Sequence, residues 1–75
     1  MIESDSLRQK LESAFPGARV KVVDLTGTQD HYQVSIVAEA FRGQPRVRQH
    51  KMVYEALGAW MSGPIHALAL ETSAP

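Results

Sequence analysis

Three histidines, a local cluster of cations and no cysteine define the chemistry open to this chain. Imidazole suits both proton transfer near neutrality and coordination of zinc, copper or iron. His66 stands in Ile65-His66-Ala67-Leu68, the first polar side chain of an otherwise apolar run. A ring in that position is either satisfied by a hydrogen bond or put to use. His31 begins a second run of strand-like residues, and at the end of a hairpin turn it reads as a solvated edge residue. His50 falls among apolar helix positions and reads as a core histidine that seats its helix on a sheet.

The missing cysteines exclude disulfides, thiolate catalysis and an all-protein cysteine site for zinc or iron-sulfur. Metal chemistry must run through His, Asp or Glu, or borrow thiolates from another molecule. Eight basic residues balance eight acidic ones, which removes the bulk positive charge usual in nucleic-acid binders. Arg42, Arg46, Arg48 and Lys51 nevertheless fall close together with no acidic residue between them. Phosphates and acidic protein surfaces are the two partners such a patch suits, and an ordinary solvated face is the third reading. Nothing resembles a nucleophile elbow, a paired-carboxylate site, a Walker loop or a dinucleotide fingerprint, so the expectation is a protein that is not an enzyme.

These side chains need a scaffold, and 75 residues supply one small domain, spanning positions 1–75. A chain this short buries about 60% of the surface it exposes when unfolded. Aliphatic and aromatic residues at 44% suffice for a thin core and argue against disorder. No run is long enough to cross a membrane, and Met1-Ile2-Glu3-Ser4-Asp5 is acidic where a signal peptide is basic. A soluble, cytoplasmic protein is expected, without a membrane partner.

Ser4-Asp5-Ser6 offers N-cap chemistry ahead of Leu7, Leu11 and Phe15, whose spacing predicts a helix from about Asp5 to Ala14, stopped by Pro16-Gly17. Arg19 to Leu25 alternates with Val20 and Val22 on one side, the period of a half-covered strand. Thr26 to Asp30 is a turn. His31 to Ala38 sets Tyr32, Val34, Ile36 and Ala38 against His31, Gln33, Ser35 and Val37. A helical turn at Ala38 to Phe41 is broken by Gly43-Gln44-Pro45. The main helix then runs roughly from Pro45, a residue suited to a first helical position, to Met61. At about 100° per residue, Val53, Leu57, Trp60 and Met61 share a sector that includes His50, with Arg48, Lys51, Glu55 and Ser62 opposite. Gly63-Pro64 ends that helix. Ile65 to Leu70 reads as a third strand, apolar on both faces and well covered.

The expected fold class is α+β, in the order α-β-β-α-α-β. A tight turn makes the first two strands antiparallel, and the strand-helix-strand passage returns the third parallel to the second. Two layers follow: a three-stranded mixed sheet with helices on one face, and Arg19, Lys21, Gln33 and Ser35 turned to water on the other.

The Thr26-Gly27 turn, the His31-Tyr32 pair opening a strand, Phe41-Arg42-Gly43, the helical series Arg48, His50, Lys51, Val53 and Tyr54, and Ile65-His66-Ala67-Leu68 together resemble the BolA family. Matching residues run from about Val20 to Leu70. The resemblance implies a fold similar to a type II KH domain, in agreement with the element order. It also implies an accessory protein that binds a monothiol glutaredoxin and shares a two-iron two-sulfur cluster with it, in iron-sulfur trafficking and iron homeostasis. The glutaredoxin cysteine and glutathione would supply thiolates, and the isolated chain would hold no cofactor. His66 is carried over as the first metal-ligand candidate and His31 as the second. Imidazole is an accepted ligand there, since histidine replaces cysteine on one iron of Rieske centres. Two features depart from the family pattern: the Thr26 to Asp30 loop offers neither Cys nor His, and Gln49 stands where a basic residue is common.

The resemblance carries a second reading, a DNA-binding transcriptional regulator of the stress response that contacts phosphates with Arg46, Arg48 and Lys51. A KH domain grips the backbone through a Gly-x-x-Gly loop, and the corresponding turn here, Gly43-Gln44-Pro45-Arg46, has one glycine and a rigid proline. Tyr32, Phe41 and Trp60 are better placed as core than as base-stacking platforms. A monomer or a weak homodimer is expected.

Overall fold

In the computed structural model, which describes residues 3–27, 31–62 and 67–75, Leu7 and Leu11 are wholly buried on one face of the first helix, α1 (Ser4–Ala14). Phe15, just past its end, extends the stripe and meets Phe41 with ring centroids 5.2 Å apart and planes tilted by 54°, a favourable aromatic arrangement. The N-cap is Glu3, without a side-chain capping bond, rather than one of the serines or Asp5. Those residues lie inside the first turn, and Asp5 instead forms a surface ion pair with Arg8, which Glu12 meets from the following turn. Gly17, at φ +81°, turns the chain away.

Strand β1 (Arg19–Asp24) pairs antiparallel with β2 (His31–Val37), Arg19 opposite Val37 and Asp24 opposite Tyr32. Strand β3 (Ala67–Ser73) pairs parallel with β2, giving the sheet order β1-β2-β3. Both strand directions are as the connections require. Along β2 the burial alternates: Tyr32, Val34 and Ile36 are sealed beneath the helices, while His31, Gln33, Ser35 and Val37 are half-buried on the bare face.

Between β2 and the second helix lies a 3-10 turn, Glu39–Phe41, which drives Phe41 into the core. Helix α2 (Arg46–Leu57) follows, then a second 3-10 segment, Gly58–Ser62. The expected single helix to Met61 is thus interrupted. Gly58 takes φ +55°, ψ −127°, a conformation that an L side chain strongly resists, and the helix stops there. Pro45 is the N-cap, extended at ψ 157°, one position earlier than its expected place. Val53 and Leu57 bury the inner stripe of α2, with Trp60 and Met61 packed on its rim. Lys10 of α1 sets its ammonium 4.7 Å from the Trp60 ring centroid, tying the two helical segments by a cation-π contact.

The third strand differs from expectation in place and cover. It runs three residues beyond Leu70, to Ser73, and it is an edge strand. Leu68 and Leu70 are half-buried and Ala69 is exposed, because among the described residues β3 has a neighbour on one side only and nothing covers the bare face. Among the described residues no helix is long and apolar enough to cross a membrane.

Candidate functional site

His31 is the first residue of β2, and its backbone carbonyl accepts a hydrogen bond from Leu25 N–H at 2.9 Å, closing the β1-β2 ladder. Its side chain shares the bare face with Gln33 and Ser35 by strand parity, half-buried. In the parallel ladder its partner is Ala67. His66, the first ligand candidate, lies outside the described residues, as do Ile65 and the far part of the Thr26 to Asp30 turn. Among the described residues no three His, Asp or Glu side chains gather as a metal site.

The three candidate phosphate contacts are all exposed on α2, and none forms an ion pair among the described residues. They do not form one patch. At about 100° per residue, Arg48 and Lys51 lie on the outward side with Val47 and Tyr54, while Arg46 lies in line with the inner stripe of Val53 and Leu57, at the start of the helix. Val47 is 83% exposed and Tyr54 41%, and exposed Glu55 stands between Arg48 and Lys51, so the outward face of α2 mixes charges of both signs with apolar surface. Arg42 belongs to neither group. It is engaged by Glu39 through hydrogen bonds of 2.6 and 3.1 Å, and its second terminal nitrogen also donates to the Pro75 carbonyl at 2.9 Å. The bonds from Arg42 hold the Glu39 carboxyl below its ordinary range, and those to Glu39 raise the guanidinium.

The start of α2 is fixed by Gln49, whose role composition and spacing do not reveal. Its amide nitrogen donates to the carbonyls of Gln44 at 2.8 Å and Phe41 at 3.3 Å. Its amide oxygen accepts the Thr72 hydroxyl at 2.7 Å. One side chain therefore clamps the turn before α2 and strand β3 to the helix. A basic residue has no acceptor for the Thr72 hydroxyl, so the departure from a basic triplet at position 49 has a structural use.

His50 is half-buried on the inner side, in keeping with its sector, but its Nε2 is buried with no hydrogen-bond partner. It lines a cleft of about 480 Å³ with Arg46 and with the ends of β2 and β3. No motif marks this cleft; it arises from the parallel register, which sequence periodicity does not specify.

Residues 2–75 match the family model described as BolA-like protein. The chain belongs to the BolA family. The DNA-binding transcriptional regulator BolA of Escherichia coli is 32% identical over 79 residues, covering 96% of this chain and 75% of that protein. A solved bolA homologue from Coxiella burnetii superposes with a TM-score of 0.80 at 32% identity, over 100% of this chain and 94% of that one. The BolA domain of SufE1 from Arabidopsis thaliana gives a TM-score of 0.84 at 26% identity, over 100% and 96%. The BolA resemblance and the α+β architecture expected for it are therefore both found.

Proposed function

We propose that this BolA-family chain is a non-catalytic cytoplasmic accessory protein that docks a monothiol glutaredoxin and donates imidazole to a two-iron two-sulfur cluster held between them. The observation that carries the reading is the register of β2 and β3: His31 pairs with Ala67, the residue bonded to His66. The second ligand candidate is thus the ladder partner of the residue that follows the first in sequence. A chain without cysteine supplies no thiolate, so the sulfur ligands come from the glutaredoxin and glutathione. His66 is the principal donor and His31 the secondary one. The outward face of α2, with Val47 and Tyr54 beside Arg48, Lys51 and Glu55, suits a protein partner that offers apolar surface and complementary charges.

Visible absorption and circular dichroism of the chain mixed with cluster-loaded monothiol glutaredoxin test this reading. His66→Ala is expected to change the spectrum of the mixture and His31→Ala to change it less, with far-ultraviolet dichroism confirming that both variants fold. A His66→Ala mixture indistinguishable from the parent removes His66 as ligand.

The name of the E. coli relative favours a second reading, binding of DNA by the exposed cations of α2. Phosphates would meet Arg48 and Lys51 on one face and Arg46 from another, so this reading asks a duplex to reach around the helix start.

A further inference from the structure

The cleft beside His50 occupies an unusual position on the sheet. Its wall runs along residues 70–73 of β3 and 35–37 of β2, with Arg46 and His50 of α2 beside them. Successive strand residues point to opposite faces. The register sets Ile36 with Thr72 on the helix side and Ser35 with Glu71 on the bare side. Among the described residues β3 is hydrogen-bonded to β2 alone, so the strand that supplies four residues of this cleft has an unpaired outer edge.

The two edges of the sheet are protected differently. β1 carries Arg19, Lys21 and Asp24, charges of the kind that discourage pairing with another chain. β3 carries Glu71 alone within Ala67–Ser73, and has neither proline nor lysine. On the helix side of the cleft stand two donors without acceptors: Arg46, exposed and unpaired among the described residues, and His50, whose Nε2 has no partner. On the bare side stand Glu71, Ser35 and Ser73. An extended chain laid along β3 would offer alternate residues to these two unlike surfaces.

We propose that the free edge of β3 receives an extended acidic segment of a partner protein as an added strand, with carboxylates of one parity at Arg46 beside His50 and lysine or serine of the other parity at Glu71 and Ser73. Main-chain hydrogen bonds give such a complex its affinity, and the alternating side chains give it specificity. This site does not rest on the cluster reading, which uses His66, His31 and the outward face of α2.

The test titrates the isotope-labelled full chain with a blocked heptapeptide, Val-Glu-Lys-Glu-Lys-Glu-Val, whose glutamates all fall on one side of a strand. Amide shifts and slowed hydrogen exchange at residues 70–73 are expected. A peptide of the same composition in blocks, Glu-Glu-Glu-Val-Lys-Lys-Val, should bind more weakly, and Arg46→Glu should weaken the alternating peptide about tenfold, the size of one charge-assisted hydrogen bond. His66→Ala should bind the alternating peptide as the parent does, which separates this site from the cluster. The proposal is overturned if residues 70–73 do not respond at millimolar peptide, if the block peptide binds equally well, if Arg46→Glu has no effect, or if the shifts arise on concentrating the chain alone, which would mean a second copy occupies the edge.

Discussion

His31 faces Ala67 across the parallel ladder, and thereby brings the first residues of β2 and β3 to the same end of the sheet. The same register carries Ile36 to Thr72 at the other end, where Thr72 meets Gln49. Helix α2, the strand it precedes and the turn that starts it are consequently one mechanical unit, and Gln49 is its pin.

Gln49→Ala should therefore destabilise the fold by about 1–2 kcal/mol, since it removes bonds to the carbonyls of Phe41 and Gln44 and leaves the Thr72 hydroxyl without its acceptor. Urea unfolding of the variant, with slope unchanged and midpoint lowered, is the measurement. A midpoint equal to the parent's would show that water replaces all three bonds at no cost.

Gly58→Ala is expected to cost about 1–3 kcal/mol, from backbone strain alone. A Cβ at this position meets nothing within 4 Å, so sterics with neighbours play no part, while φ +55° with ψ −127° remains unfavourable for alanine. Thermal unfolding reads the loss. A crystal structure of the variant should show α2 lengthened or the Gly58–Ser62 segment rotated.

Core and surface apolar residues should separate sharply. Phe41→Ala removes a ring that is 1% exposed and packed on Phe15, and should cost about 3–5 kcal/mol. Val47→Ala, at a position 83% exposed, should change stability by no more than about 0.5 kcal/mol. Weakened glutaredoxin association by Val47→Ala, with that stability retained, would mark Val47 as a docking residue.

The Glu39 carboxyl should titrate below the ordinary glutamate range because Arg42 hydrogen-bonds to it. The folded chain then binds that proton less readily than the unfolded chain. The pair's stabilising contribution is complete above the ordinary carboxylate pKa and is withdrawn as pH falls from there through the lowered folded value. Both groups are solvent-exposed, so the effect on stability is small. Carbon-detected titration of the Glu39 side chain should show its midpoint move upward in Arg42→Gln; an unmoved midpoint would deny the pairing in solution.

If DNA is a ligand, its affinity should fall steeply between low and physiological salt, and Arg48→Glu with Lys51→Glu should reduce the slope of log affinity against log salt by about 2. Affinity insensitive to salt would exclude phosphate contacts as its source.

The order of elements and the inner set Leu7, Leu11, Tyr32, Val34, Ile36, Val53 and Leu57 were legible from periodicity, because burying one face of a strand or helix imposes a repeat on the residues themselves, and both strand directions from the connections between the strands. The interruption at Gly58 was less so: a single glycine is tolerated within a helical pattern, and only its dihedral angles in the fold show that it ends one. Edge status for β3 was hidden, since its run of small and aliphatic residues reads equally as a covered strand. Gln49 and the cleft at Arg46 and His50 depend on which strand residues stand opposite one another, information that pairs distant parts of the chain. His66 was singled out by the family motif, and it lies outside the described residues.

From His31 to Val37 the ladder rises by about 20 Å, on a molecule whose longest dimension is 34 Å. On the two proposals made above, its ends would be separate berths, with the paired strand starts at one pole and the donor-rich hollow at the other. A protein seated at either pole would leave the opposite one accessible, which gives this short chain the dimensions of a go-between able to hold two bodies at once.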